Sequence, residues 1–184
     1  MIFKSKDPNS ILPFLPKLFD GIASIEFEMD NHVLCVVSIE NSIGEKMAVR
    51  PIKFRSNFET WLSSIEEVMQ KSLRNEIKEA RGTYKEMVLE DWIMNTSTQI
   101  SYVVTQIEFC ERVYLAFSSV DQLHSLSILL NEVEQNIILL IKMMKFAANF
   151  VDRNKIHSLI LLMLYHKEIL RDMVDSEVTT PDNN

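Results

Sequence analysis

The sequence predicts a mainly α-helical protein: an elongated bundle of long antiparallel helices with a small antiparallel β-hairpin or meander near the N-terminus. Three observations lead there. Only three glycines, Gly21, Gly44 and Gly82, occur in 184 residues, and folds built on tight turns and phosphate-cradling loops use more. From Asn57 onward, apolar residues recur at helical spacing almost to the end. One short region, SIEFEM–HVLCVVSIE–KMAVRPIKF, is rich in β-branched residues and punctuated by the turn Asn41-Ser42-Ile43-Gly44.

The first element starts at Asp7-Pro8, an N-cap residue followed by a proline suited to a first helical position. Ile11, Leu12, Leu15, Leu18, Phe19 and Ile22 share a helical face, although Pro13 and Pro16 work against a regular helix. The β element, at 24–54, is too small to fold alone and must pack on helices. Ser56 with Glu59 forms a capping box for the next helix, whose ridge is Trp61, Ile65, Met69, Leu73, Ile77, Ala80 and Tyr84. Thr96 with Gln99 opens a second helix through Ile100, Val103, Val104, Ile107, Cys110 and Leu115, and Ser119 with Gln122 opens a third, ending near Met144. Asp152 caps a fourth, to about Val174. The domain reading is a helix over 1–23, the β element over 24–54, a helical bundle over 55–178 and a disordered tail over 179–184.

The runs IILLI and LILLMLY are apolar around most of a helix circumference, so those helices are central or dock on further protein. The net charge of −7 comes with no basic stripe, and nucleic-acid binding is not expected. LILLMLY is the longest purely apolar run, far short of the roughly twenty residues a bilayer requires, and MIFKSKDPNS lacks a signal-peptide core. An intracellular, soluble chain is the expectation. Cys35 and Cys110 have no zinc or redox spacing and read as buried free thiols.

No chemistry-bearing constellation emerges, and no catalytic, cofactor-binding or metal-ligating residue and no cofactor is assigned. His157 and His166 are nine apart, on opposite faces of one helix, and read with His32 and His124 as structural histidines. The pairs Glu66/Glu67, Glu90/Asp91 and Glu132/Glu134 read as solvated helix faces rather than acid/base dyads. P-loop and nucleophile-elbow motifs are absent from the sequence. Glu76 with Arg81 reads as a surface pair of little value. Trp61 and Trp92 read as core anchors. Ten methionines, Met143, Met144 and Met163 among them, read as core filling before partner surface.

Several boxes in order resemble the linker region of dynein heavy chains. N-F-E-T-W-L is similar to the family's gly-asn-val-glu-x-trp-leu, and M-Q-K-S-L-R-N-E-I-K-E-A follows, then Tyr84. Trp92 falls seven residues before Gln99 and fourteen before Gln106, the family's spacing for a tryptophan and two glutamines. T-Q-I-E-F-C, Thr105 to Cys110, resembles ser-gln-ile-x-trp-cys/thr, with Phe109 at the aromatic position. D-R-N-K-I-H-S-L-I resembles the opening of the family's last helix here, and Lys167 and Glu168 stand where it has arginine and aspartate. Upstream, F-K-S-K-D-P-N-S-I-L-P-F-L, K-L-F-D-G-I and S-I-E-F extend the likeness over nearly the whole chain. Thr96 and Ser97 replace the usual trp-pro, Tyr165 a histidine and Met163 an aspartate.

The resemblance implies a non-catalytic segment of an arm that swings across a ring of AAA-type ATPase modules in microtubule-based movement. Its implied partners are that ring, adjacent linker segments and other dynein subunits, with microtubules reached only indirectly, no nucleic acid and no membrane. The implied place is the cytoskeleton, in the ciliary axoneme. It also implies a fragment or short product, since the ATPase modules lie downstream in the family. The alternative is a free-standing helical interaction module without motor activity.

Overall fold

The computed structural model describes residues 8–54 and 57–176. The fold is mainly α, with a three-stranded antiparallel sheet near the N-terminus, as expected. The expected cap Asp7, the box partner Ser56 and the tail beyond Ser176 lie outside the described residues. The chain divides into two compact units, up to Lys78 and from Glu79.

The first unit opens with a 3₁₀ helix, Pro8–Phe14, followed by α1, Leu15–Leu18. A single regular helix was expected here. Pro13 and Pro16 cannot donate backbone hydrogen bonds, so the chain winds tightly and α1 has only four residues. Then come β1 (Ser24–Asp30), β2 (Val33–Glu40) and β3 (Lys46–Lys53), paired in that order. Asn31 and His32 make the first hairpin turn with φ of 47° and 64°, the left-handed pair that matches strand twist. The second turn is built by Asn41, whose Oδ1 accepts from the backbone N–H of Ile43 and of Glu45, and by Gly44 at φ +90°.

β2 is the central strand, and its pairing with β3 shifts between Val36 and Ser38. This bulge explains why Cys35/Val36 and Ser38/Ile39 are buried as adjacent pairs rather than in strict alternation. Ile25, Val36, Ile39, Val49 and Ile52 pack with Ile11 and Leu15 against Phe58, Trp61 and Ile65 of α2, Phe58–Tyr84. Trp61 is enclosed by Phe27, Phe54 and Phe58, with Phe54 edge-on at 5.1 Å. Asn57 caps α2: its Oδ1 accepts from the N–H of Glu59 at 3.0 Å and of Thr60 at 3.4 Å.

The unit boundary falls within α2. Of the expected ridge, Trp61, Ile65 and Ala80 are buried, and Met69, Leu73, Ile77 and Tyr84 are half-buried.

The second unit contains the end of α2, then α3 (Leu89–Asn95), α4 (Thr98–Phe117), α5 (Gln122–Phe146) and α6 (Phe150–Asp175). Three expected caps are displaced. Thr96 closes α3, donating its hydroxyl to the Trp92 carbonyl at 2.7 Å. Asp121, not Ser119, caps α5 by accepting from His124 N–H, while the Ser119 hydroxyl donates to the Ala116 carbonyl. Asn149 caps α6: its Oδ1 accepts from Asp152 N–H and its amide donates to the Asp152 carboxylate, both at 2.7 Å. Asp152 is therefore the third-position partner of the capping pair rather than the cap itself.

α5 and α6 turn back on each other through Ala147, so that Lys167 Nζ reaches Glu134 Oε1 at 2.9 Å. Their shared core is Leu126, Leu129, Val133, Ile137 and Leu140 from α5 with Ile156, Leu159, Leu162 and Leu170 from α6.

Candidate functional site

Two features of the second unit are candidates. One is a polar junction on the inner face of α4, and the other is apolar surface on α5 and α6.

The buried face of α4 carries Ile100, Ser101, Val104, Thr105, Glu108 and Phe109. The expected apolar positions of this helix were Ile100, Val103, Val104, Ile107, Cys110 and Leu115, of which Ile100 and Val104 are buried. Val103 and Ile107 are only half-buried, and Cys110 and Leu115 are exposed. Cys35 is a buried free thiol, as expected, and Cys110 is an exposed one. The difference arises because α4 turns a polar stripe, Ser101–Thr105–Glu108, toward its neighbours, which hydrophobic periodicity cannot register.

Four residues of the T-Q-I-E-F-C box meet other parts of this unit. Glu108 is 2% exposed. Its carboxylate accepts from Arg81 Nε at 3.1 Å and lies 3.4 Å from Lys85 Nζ, the pairing a buried carboxylate requires. Arg81 also donates to Glu111 at 2.6 Å, and these bonds, Glu108 foremost, raise its already high pKa. Arg81 thus ties the end of α2 to α4, a larger role than the expected surface pair with Glu76. Phe109 stacks on His166 of α6, the rings parallel with centroids 3.7 Å apart. Gln106 Oε1 lies 2.9 Å from His166 Nε2, while its amide donates to Cys110 Sγ. That orientation of Gln106 makes His166 Nε2 the protonated nitrogen. Burial lowers the His166 pKa to about 4, so the ring is neutral at pH 7. Thr105 faces a small cavity shared with Tyr84, Arg112 and Asn136.

Trp92 anchors the same region. Its ring meets Tyr84 edge-on at 4.8 Å and its Nε1–H donates to the Ala80 carbonyl at 2.9 Å. Burial pushes the Tyr84 phenol above its ordinary pKa. Both tryptophans are the core anchors the sequence suggested.

The paired carboxylates do not converge. Glu66 and Glu67 are exposed on α2. Glu132 pairs with Arg112, and Glu134 pairs with Lys167, whose ammonium holds the Glu134 carboxyl below its ordinary pKa. His157 is exposed and His166 buried, on opposite faces of α6 as their spacing required. Among the described residues no group of three His, Cys, Asp or Glu side chains is placed to hold a metal ion, and no helix is long and apolar enough to cross a membrane. The sequence reading missed Glu108 and Lys155, both buried. Lys155 Nζ donates to the Ile93 carbonyl at 3.2 Å, near the end of α3, where the helix dipole favours a cation. The available signal was position, since each occupies the helix face of its apolar neighbours.

The second feature is surface. On α5, Ile128, Ile138 and Ile141 are about half exposed, and Phe146 is 86% exposed. On α6, Phe150, Leu161, Leu164 and Tyr165 form an outward stripe, with Phe150 70% and Tyr165 62% exposed. Met94, Leu139, Met143 and Phe146 line a groove of about 390 Å³, with Glu90 and Lys142 also in its wall. Apolar side chains clustered in this way mark contact surface more often than chance exposure does.

Comparison with known proteins points the same way as the boxes. Residues 1–80 match the family "Dynein heavy chain, N-terminal region 2". Dynein axonemal heavy chain 11 of Sus scrofa is 25% identical over 98% of this chain. Dynein axonemal heavy chain 6 of Homo sapiens is 25% identical over 100% of it, and dynein axonemal heavy chain 12 of Mus musculus 23% over 97%. The chain spans 4% to 6% of the length of these relatives. The chain is thus similar to axonemal dynein heavy chains over nearly its whole length, and to the N-terminal region 2 of dynein heavy chains over residues 1–80.

Proposed function

We propose that this chain is a segment of the mechanical linker of a dynein heavy chain, which swings across the AAA-type ATPase ring in microtubule-based movement. In this reading it is non-catalytic. It transmits and positions, while ATP chemistry belongs to modules outside this sequence. Its partners are the ring, adjacent linker segments and other dynein subunits, and its place is the ciliary axoneme. Residues 55–178 serve as the helical part of the arm, with the β element at 24–54 packed on its start.

The observation that carries the reading is the continuous match of almost the whole chain to axonemal heavy chains. The apolar outer faces of α5 and α6 support it. A lever must contact its ring or its neighbours, and such contacts leave apolar surface uncovered when one segment stands alone. A free-standing module would instead be expected to present a polar exterior.

The test is the mass of the endogenous protein, by immunoblot of a ciliated-cell extract with an antibody to residues 57–84. A band of several hundred kilodaltons is the expected result. A single band near 21.4 kDa, the mass of this chain, would overturn the force-carrying role.

A further inference from the structure

We propose that the cavity lined by Thr105, Asn136 and His166 binds one structural water molecule, which links α4, α5 and α6 through polar groups. The cavity measures about 20 Å³, and about 10–15 Å³ accommodates one water. Its wall is mixed: besides those three residues it includes Tyr84 and Arg112, with Phe109, Leu129, Val133 and Met163 as its apolar part. Apolar cavities of this kind stay dry, whereas a buried water needs two to four polar partners.

The second observation is independent of size. Thr105 is 5% exposed, and its Oγ1 is fully buried with no hydrogen-bond partner among the described residues. A hydroxyl in that position is costly unless something bonds it. Ser101, one turn earlier on the same helix face, solves the problem locally: its Oγ donates to the Thr98 carbonyl at 2.9 Å. Thr105 does not.

His166 supplies a complementary group. Its Nε2–H is committed to Gln106 Oε1, which leaves Nδ1 as an acceptor lone pair. A water accepting from or donating to Thr105 can donate to an imidazole nitrogen and also engage the Asn136 amide. Such a bridge gives α5 a polar tie to the junction that α4 and α6 already share through Gln106 and Phe109.

Two measurements on the full chain test this. In a crystal structure at a resolution that shows ordered water, one solvent peak is expected within hydrogen-bond distance of Thr105 Oγ1 and of Asn136 or His166. Absence of that peak, with Thr105 Oγ1 turned onto the Ser101 carbonyl, overturns the proposal. The second measurement is the thermal midpoint of Thr105→Val, which keeps the shape and removes the hydroxyl. With water present the variant loses a hydrogen-bonded anchor and Tm falls by about 2–4 °C. If the site is dry, the variant removes an unsatisfied group, and an unchanged or raised Tm overturns the proposal.

Discussion

His166 illustrates how a single residue's surroundings set its chemistry. Its ring is sandwiched against Phe109, hydrogen-bonded to Gln106 and free of any carboxylate partner among the described contacts. Tyr84 from α2, Arg112 from α4 and Asn136 from α5 face the same cavity, and none of them favours an imidazolium. With the folded pKa lowered from 6.5 to about 4, the unfolded chain binds the extra proton first. His166 therefore contributes stability fully above about pH 6.5, and that contribution is lost as pH falls toward 4. The gap corresponds to roughly 3 kcal/mol at most. Urea midpoints between pH 7 and pH 4.5 should decline in the wild type more steeply than in His166→Phe. The tryptophans make a second residue-level contrast. Both are about 1% exposed, but Trp92 Nε1 is bonded to the Ala80 carbonyl while Trp61 Nε1 has no partner among the described residues. Trp92→Phe should cost more than Trp61→Phe, by about 1 kcal/mol in chemical denaturation, because it breaks a buried bond where the other removes an orphaned donor.

At the scale of the element, the helix starts show how little a capping signature says about its neighbours. Ser, Thr, Asn and Asp are so frequent near these boundaries that several candidates compete, and the geometry of the preceding turn selects one. Asn149→Ala should lower stability by about 1 kcal/mol, whereas Ser119→Ala removes no α5 cap and leaves Asp121 in place. Thermal unfolding followed by circular dichroism distinguishes the two. α4 shows a different element-level effect. Its buried stripe of Ser101, Thr105 and Glu108 interrupts its apolar pattern, yet it packs against both α5 and α6.

For the whole molecule, the relevant quantity is the apolar surface carried outward by α5 and α6. These side chains contribute little to the fold, because much of each stays in water. Replacing Leu161 and Tyr165 by serine, or Ile138 and Ile141, should change stability by no more than about 0.5 kcal/mol per site. The same variants should reduce concentration-dependent self-association in sedimentation velocity, if these faces are contact surface. A large loss of stability would instead mean that the side chains belong to the core.

Much of this protein was determined by local sequence. The β-branched run with its Asn41–Gly44 turn specified a hairpin or meander, and the apolar spacing after Asn57 specified the long helices. The boxes from Asn57 to Glu168 carried the likeness to dynein heavy chains, because periodicity, turn chemistry and motif spacing are properties of neighbouring residues. Only the tertiary structure decided what the polar residues among them do. Glu108, Lys155 and His166 share helix faces with apolar neighbours in sequence, but what pairs with each comes from another segment: Arg81, the Ile93 carbonyl and Gln106. Likewise Cys110 and Leu115 sit on an apolar pattern but face water. Burial is set by which face of a helix its neighbours cover, and pairing between residues 27 to 62 positions apart leaves no mark on local spacing.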